Sequence, residues 1–136
     1  MAVRLNPYVN FKDNAREAMT FYRSVFGGEL EIRTFAEFHA SDDPAEADKI
    51  MHSQLETPDG FTLMGSDTPN SMGYEGQEGF AITVNGDEEE KLRGYWEALS
   101  EGGTVVMPFE VAPWGHTFGM CVDRFGTNWM ISYAAT

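Results

Sequence analysis

The chain has little of what would tie it together covalently or hold it to nucleic acid. Of its 136 residues one is a cysteine, Cys121, so no disulfide closes within it and no multi-cysteine zinc or iron–sulfur site can be built. Basic residues are scarce as well. Nine Lys and Arg stand against 22 Asp and Glu, a formal net charge of −13. Such a field repels phosphate backbones and anionic lipid surfaces, which argues against nucleic acid and membranes as partners. No apolar run approaches the ~20 residues required to span a bilayer. The opening stretch lacks the charged-then-apolar pattern of a secretory leader, so a cytoplasmic location is the expectation. What is present is an ordinary globular complement, 42% hydrophobic, sufficient for the core of one compact domain or of two small halves. The acidic runs at 37–48 and 87–90 read as a solvated loop and a helix start.

Residues 5–11 have strand character, with Pro7 early enough for its missing N–H to be harmless at an edge. Asn14 and Glu17 have the spacing of a capping box. Behind them Ala15, Ala18, Met19, Tyr22, Val25 and Phe26 recur at threes and fours, an amphipathic helix stopped by Gly27-Gly28. Residues 29–38 return as a strand, an acidic loop with Pro44 follows, and 50–56 and 61–66 form a hairpin through Thr57-Pro58-Asp59-Gly60. After a polar, glycine-rich segment at 67–79 the same order recurs. Residues 80–84 are a strand; Asp87 and Glu90 repeat the capping box; Leu92, Tyr95, Trp96 and Leu99 make one helical face; Gly102-Gly103 ends it. Strands at 104–109, 117–122 and 127–133 close the chain, the last two around Asp123-Arg124-Phe125-Gly126, where Gly126 is expected at positive φ. An aromatic pair precedes each double glycine, and Met64 and Met130 each lie four residues beyond a turn glycine. The matched order predicts a duplicated βαβββ unit, module one at about 1–67, a linker at about 68–78 and module two at about 79–136.

The residues now carry a resemblance. Pro7-Tyr8-Val9-Asn10-Phe11, Asn14-Ala15-Arg16-Glu17-Ala18, the run to Phe26-Gly27-Gly28, and above all Trp114-Gly115-His116-Thr117-Phe118-Gly119 with Asp123-Arg124-Phe125-Gly126-Thr127-Asn128-Trp129 resemble the PhnB-like branch of the vicinal-oxygen-chelate superfamily, which includes glyoxalase I, bleomycin-resistance proteins and extradiol dioxygenases. The resemblance spans nearly the whole chain; His116 departs from it, standing where many relatives carry an acidic residue. It implies an α+β fold in which two βαβββ modules form curved mixed sheets around a cavity, helices outside, and it implies a homodimer with two-fold symmetry. In metal-using relatives one ligand comes from the first and one from the last strand of each module. Carried over, these positions fall on Met64 and Met130 and near Pro7 and Phe80, none a ligand for a hard divalent ion. The branch is often labelled a demethylubiquinone methyltransferase. The glycine-rich strand-to-helix loop of a nucleotide-cofactor domain is missing, so no cofactor is expected.

Candidate chemistry is sparse. His39 sits in the acidic loop and reads as solvated. His52, Gln54 and Glu56 alternate onto one strand face, compatible with metal or acid–base work and equally with an exposed polar face. His116 lies in a loop that could rim a cavity. Cys121 has no basic neighbour but Arg124 and reads as a buried, inert thiol. Eight methionines and many aromatics, among them Met64, Phe80, Met107, Trp114, Met120, Trp129 and Met130 on predicted strands or their edges, can line an adaptable apolar pocket or simply fill a core. Alternation allows one of Trp129 and Met130 to face a cavity. Two functions follow. The first is a small-molecule binding protein of the glyoxalase/bleomycin-resistance type, with an apolar, metal-free cavity lined by Met64, Phe80, Trp114, His116, Trp129, Met130, His52 and Gln54, taking a small hydrophobic or planar molecule. The alternative is a metal-dependent lyase or isomerase using His52, Glu56 or His116.

Overall fold

A computed structural model describes residues 3–38, 43–70, 72–74 and 76–135. The chain divides into two compact units, residues 1–76 and 77–136. In the first, β1 (Tyr8–Phe11), α1 (Ala15–Phe26), β2 (Glu29–Thr34), a single turn α2 (Phe35–Phe38), a 3-10 turn (Pro44–Glu46), β3 (Ile50–Glu56) and β4 (Thr62–Asp67) build a four-stranded sheet in the order β1-β4-β3-β2. In the second, β5 (Ile82–Gly86), α3 (Glu89–Ser100), β6 (Thr104–Val111), β7 (Thr117–Val122) and β8 (Asn128–Tyr133) repeat it as β5-β8-β7-β6. The first strand of each sheet pairs parallel with the last and the remaining pairs are antiparallel. This is the α+β, twice-repeated βαβββ architecture, with mixed sheets that do not close on themselves.

Each helix covers one face of its own sheet. The apolar stripe of α1 buries Ala15, Ala18, Met19, Tyr22 and Phe26 over Val9, Phe11, Leu55 and Leu63. In the second unit Leu92, Trp96 and Leu99 of α3 lie over Cys121, Trp129 and Ile131, with Trp96 stacked on Phe109 at 5.7 Å. The spacing of these residues predicts the helices, and their burial stabilises them far more than propensity does. Among the described residues no helix is long and apolar enough to cross a membrane.

The helix ends are fixed differently from the sequence expectation. Asn14 precedes α1 with φ −126° and ψ 19° and makes no side-chain cap bond. The backbone there is not the extended one from which an N-cap side chain reaches back. Asp67, 52 residues away, takes over: its Oδ1 accepts from Ala15 N and its Oδ2 from Ile50 N, both at 2.9 Å. The second expected box also fails, since α3 begins after Glu88 with no side-chain cap. At the C-terminal ends the double glycines have two functions. Gly27 and Gly102 supply positive φ, at 76° and 77°. The glycine after each lies against the neighbouring hairpin, where a Cβ would run into the carbonyl oxygen of Glu56 or Val122.

Other boundaries move for physical reasons. The first strand begins at Tyr8 rather than residue 5; Pro7 joins through its carbonyl alone, accepting from Met64 N at 3.1 Å, and Leu5 is fully exposed. The strand expected over 29–38 ends at Thr34, where pairing with β3 shifts register and the chain turns to bury Phe35. Asp67 belongs to β4, not to the linker, and Phe80 lies before β5. β6 runs on to Val111, two residues beyond the expected end.

Candidate functional site

Pairing register decides which side chains share the face of each sheet turned away from its helix. In the first unit Met64 stands in the middle of β4 with Tyr8 of β1 beside it on one side and Gln54 of β3 on the other; Glu31 of β2 lies beyond Gln54. These four form a row across the sheet. His52, two residues from Gln54 on the same strand, stacks its ring on Tyr8 at 6.0 Å with 28° between planes. Gln54 Nε2 donates to Glu56 Oε1 at 3.2 Å, and Arg4 approaches the same oxygen at 3.8 Å. Arg33, opposite His52, pairs with Glu31 at 2.9 Å and with Glu37 at 3.5 Å. The face is polar around a single thioether.

The equivalent row in the second unit is Thr83 of β5, Met130 of β8, Met120 of β7 and Met107 of β6. Phe118 and Val122 flank Met120 along its strand, all three half-buried. The exposed Trp114 sets its ring edge-on to Phe118 at 5.5 Å. The centre of this face is apolar, with Glu110 and Ser132 beside Phe118 and Asn128 and Thr104 beside Val122.

Trp129 lies on the other face. It is 2% exposed, beneath α3, and its Nε1 donates to Asp123 Oδ2 at 2.8 Å. A buried indole N–H needs an acceptor, and the turn carboxylate supplies it. Asp123 Oδ1 accepts from Phe125 N at 2.9 Å and Thr127 N at 3.1 Å, so one side chain fixes both the turn and the tryptophan. Gly126 has φ 91°, as the turn predicts. Of the pair that alternation left open, Met130 takes the helix-free face.

Of the residues expected to line a pocket, His52, Gln54 and Met64 share one face of the first unit, and Met130 lies in the corresponding row of the second. Trp114 sits in the turn between β6 and β7 and reaches Phe118; it is not on a strand. His116, in the same turn and exposed, contributes its carbonyl to Ala112 N at 2.8 Å. Phe80 is exposed in the segment before β5. His39 lies outside the described residues. Tyr8, Thr83 and Phe118 were not among the expected residues; strand alternation carries the signal for Phe118, but the neighbours of Met64 and Met130 follow from strand order.

Titratable groups elsewhere serve the fold. Burial, with the Asp123 carboxylate adding to it, pushes the Cys121 thiol up to about 11, in keeping with an inert core cysteine. Lys49 binds Asp13 at 2.7 Å and Glu46 at 3.3 Å. Its hydrogen bond to Asp13 is the main cause that raises its pKa, against the opposing effect of burial. Among the described residues no three His, Cys, Asp or Glu side chains come together as a metal-holding group.

Comparison with known proteins agrees with this fold. The family model described as 3-demethylubiquinone-9 3-methyltransferase matches residues 4–132. A crystal structure of protein PA1353 from Pseudomonas aeruginosa is 38% identical and superposes with a TM-score of 0.85 over 99% of this chain and 100% of that one. A putative 3-demethylubiquinone-9 3-methyltransferase, PhnB protein, from Bacillus cereus is 20% identical, with a TM-score of 0.76 over 97% of this chain and 100% of that one. The glyoxylase/bleomycin resistance protein/dioxygenase domain from Frankia sp. EAN1pec shares the fold at 11% identity, with a TM-score of 0.69 over 98% of this chain and 93% of that one. The chain belongs to the PhnB-like 3-demethylubiquinone-9 3-methyltransferase family, and its fold is that of the glyoxalase/bleomycin-resistance/dioxygenase superfamily.

Proposed function

We propose that this member of the family is a binding protein for a small planar, apolar molecule, held on the helix-free sheet faces without a hard metal ion. The observation that carries the reading is the residue type at the centre of each row: Met64 between Tyr8 and Gln54, and Met130 between Thr83 and Met120. Metal-using relatives place carboxylate or imidazole ligands at last-strand positions of this kind. Thioethers are soft, polarizable and conformationally adaptable; they pack against flat rings and do not ligate magnesium or zinc in competition with water. The residues at these positions therefore do not fit the superfamily's divalent ion. The methyltransferase activity in the family's description has no support in the topology either, since neither sheet is the doubly wound parallel arrangement on which nucleotide cofactors sit. By analogy with the resistance proteins named among the structural neighbours, binding without chemistry is the activity. We take the working form to be a homodimer, with light scattering at twice the chain mass as its check.

The test is a titration with planar aromatic probes, followed by tryptophan emission. Trp114 is the exposed tryptophan near the apolar row, whereas Trp96 and Trp129 lie in the core. Quenching should saturate, and Met130→Asp should weaken binding at least tenfold, about 1.4 kcal/mol. Nickel, zinc and magnesium should leave the melting temperature unchanged, because a ligand of the native state must raise it. A stoichiometric divalent metal that stabilises the fold and is lost in His52→Ala would overturn the reading in favour of a metal-dependent lyase or isomerase.

A further inference from the structure

The methionines of the second unit are not scattered. Met107 pairs with Met120, and Met120 with Met130, so three thioethers stand side by side on three adjacent strands. Paired residues share a face, with Cβ atoms about 5 Å apart. Met107 reaches this row through an irregularity. Val105 pairs with Cys121 and Met107 with Met120, so two residues of β6 advance against one of β7. Without the extra residue, alternation would return Met107 to the side of Val105 and Cys121; a bulge re-aims it. A second irregularity follows between Met107 and Glu110. Met120 and Met130 are half-buried and Met107 is 41% exposed, so all three are within reach of an ion from solvent.

We propose that Met107, Met120 and Met130 form a binding site for one soft monovalent cation, Cu(I) or Ag(I). Thioether sulfur is a soft donor and selects Cu(I) over the harder divalent ions. Each side chain is unbranched with three rotatable bonds, so the two outer sulfurs can lean over the central one and present three donors to a single ion. The row itself carries no ionisable side chain. Phe118 and Val122 flank the central methionine, and the carboxylate on this side of β6, Glu110, stands opposite Phe118 rather than in the row. Thioethers carry no proton, so binding should not change between pH 5 and 8. The corresponding row of the first unit, Glu31, Gln54, Met64 and Tyr8, holds one methionine and serves as an internal control. The inference uses the same helix-free face as the proposed function but a different chemistry, and the two are separable by experiment.

The experiment labels the methionine methyl groups with 13C and titrates the intact protein with Ag(I) in chloride-free buffer. Three methyl resonances, assigned by single Met→Leu variants, should shift together and saturate at one equivalent, while those of Met19, Met51, Met64 and Met72 stay in place. Met120→Leu conserves volume and should keep the melting temperature. Its silver affinity should fall at least tenfold. Met107→Leu, on the edge strand, should show the same loss and stands in if Met120→Leu is unstable. Shifts spread over Met51 and Met72 as well, affinity unchanged in both variants, or binding that disappears with Cys121→Ala alone would each overturn the site. Silver bound at the row with no planar probe bound would keep this inference and remove the proposed function.

Discussion

The two units share one topology, one helix position and one turn design, and differ in what they present on the face away from the helix. The row Glu31-Gln54-Met64-Tyr8 is polar with one thioether; the row Met107-Met120-Met130-Thr83 has three. On the helix side the units are alike in kind, a stripe of apolar residues over apolar strands. Burial against a helix restricts the residues on that side, whereas the helix-free side is open to divergence in chemistry without loss of the fold. The duplicated scaffold has thus kept its core logic twice and acquired two different faces.

The closing hairpins of the two units also differ in how their turns are held. Thr57 and Asp123 occupy matching places: Gly60 N donates to Thr57 O and Gly126 N to Asp123 O, each at 3.0 Å. Thr57 Oγ1 accepts from Phe61 N at 3.3 Å, but Asp123 holds two backbone amides and the Trp129 indole. Asp123→Ala should therefore cost about 3 kcal/mol, since it strands donors in a buried site, and Thr57→Ala about 1 kcal/mol. Urea midpoints of the two variants measure this, and equal losses would show that the turns are energetically equivalent after all.

A smaller effect should be shared by both units. Gly60 and Gly126 have φ of 90° and 91°, with open space where a Cβ would stand. Valine at either position should cost roughly 1–3 kcal/mol from backbone strain alone. A melting midpoint unchanged in one variant and lowered in the other would break the equivalence of the turns.

An effect confined to alkaline pH belongs to the second unit alone. The Cys121 thiol, raised from 9.0 to about 11 in the fold, stays protonated while the unfolded chain ionises. Between those values the native state binds more protons, so stability falls as pH rises from about 9 towards 11. Cys121→Ala should flatten that decline in denaturation curves taken across the range. A slope identical in wild type and variant would count against the raised value.

Much of the architecture is written in local pattern. The helical stripes of α1 and α3, the double glycines that end them, the turn glycines and the repeat all follow from spacing of a few residues, because helix and turn geometry are set within one or two turns of chain. The strip His52-Gln54-Glu56 and the placement of Met64 and Met130 on strands are equally legible. The tertiary structure decided what spacing leaves open. Asn14 has the chemistry of a cap, yet Asp67 performs it from 52 residues away, because the end of β4 is brought against both α1 and β3. Alternation puts Trp129 and Met130 on opposite faces but does not say which is which; the carboxylate of Asp123, set by the turn, draws the indole inward. Met107 enters its row through an extra residue in β6 that shows only once β6 and β7 are paired. Periodicity is a property of a segment and can be read from it, whereas register and long-range hydrogen bonds are relations between segments and exist only after the sheet has formed.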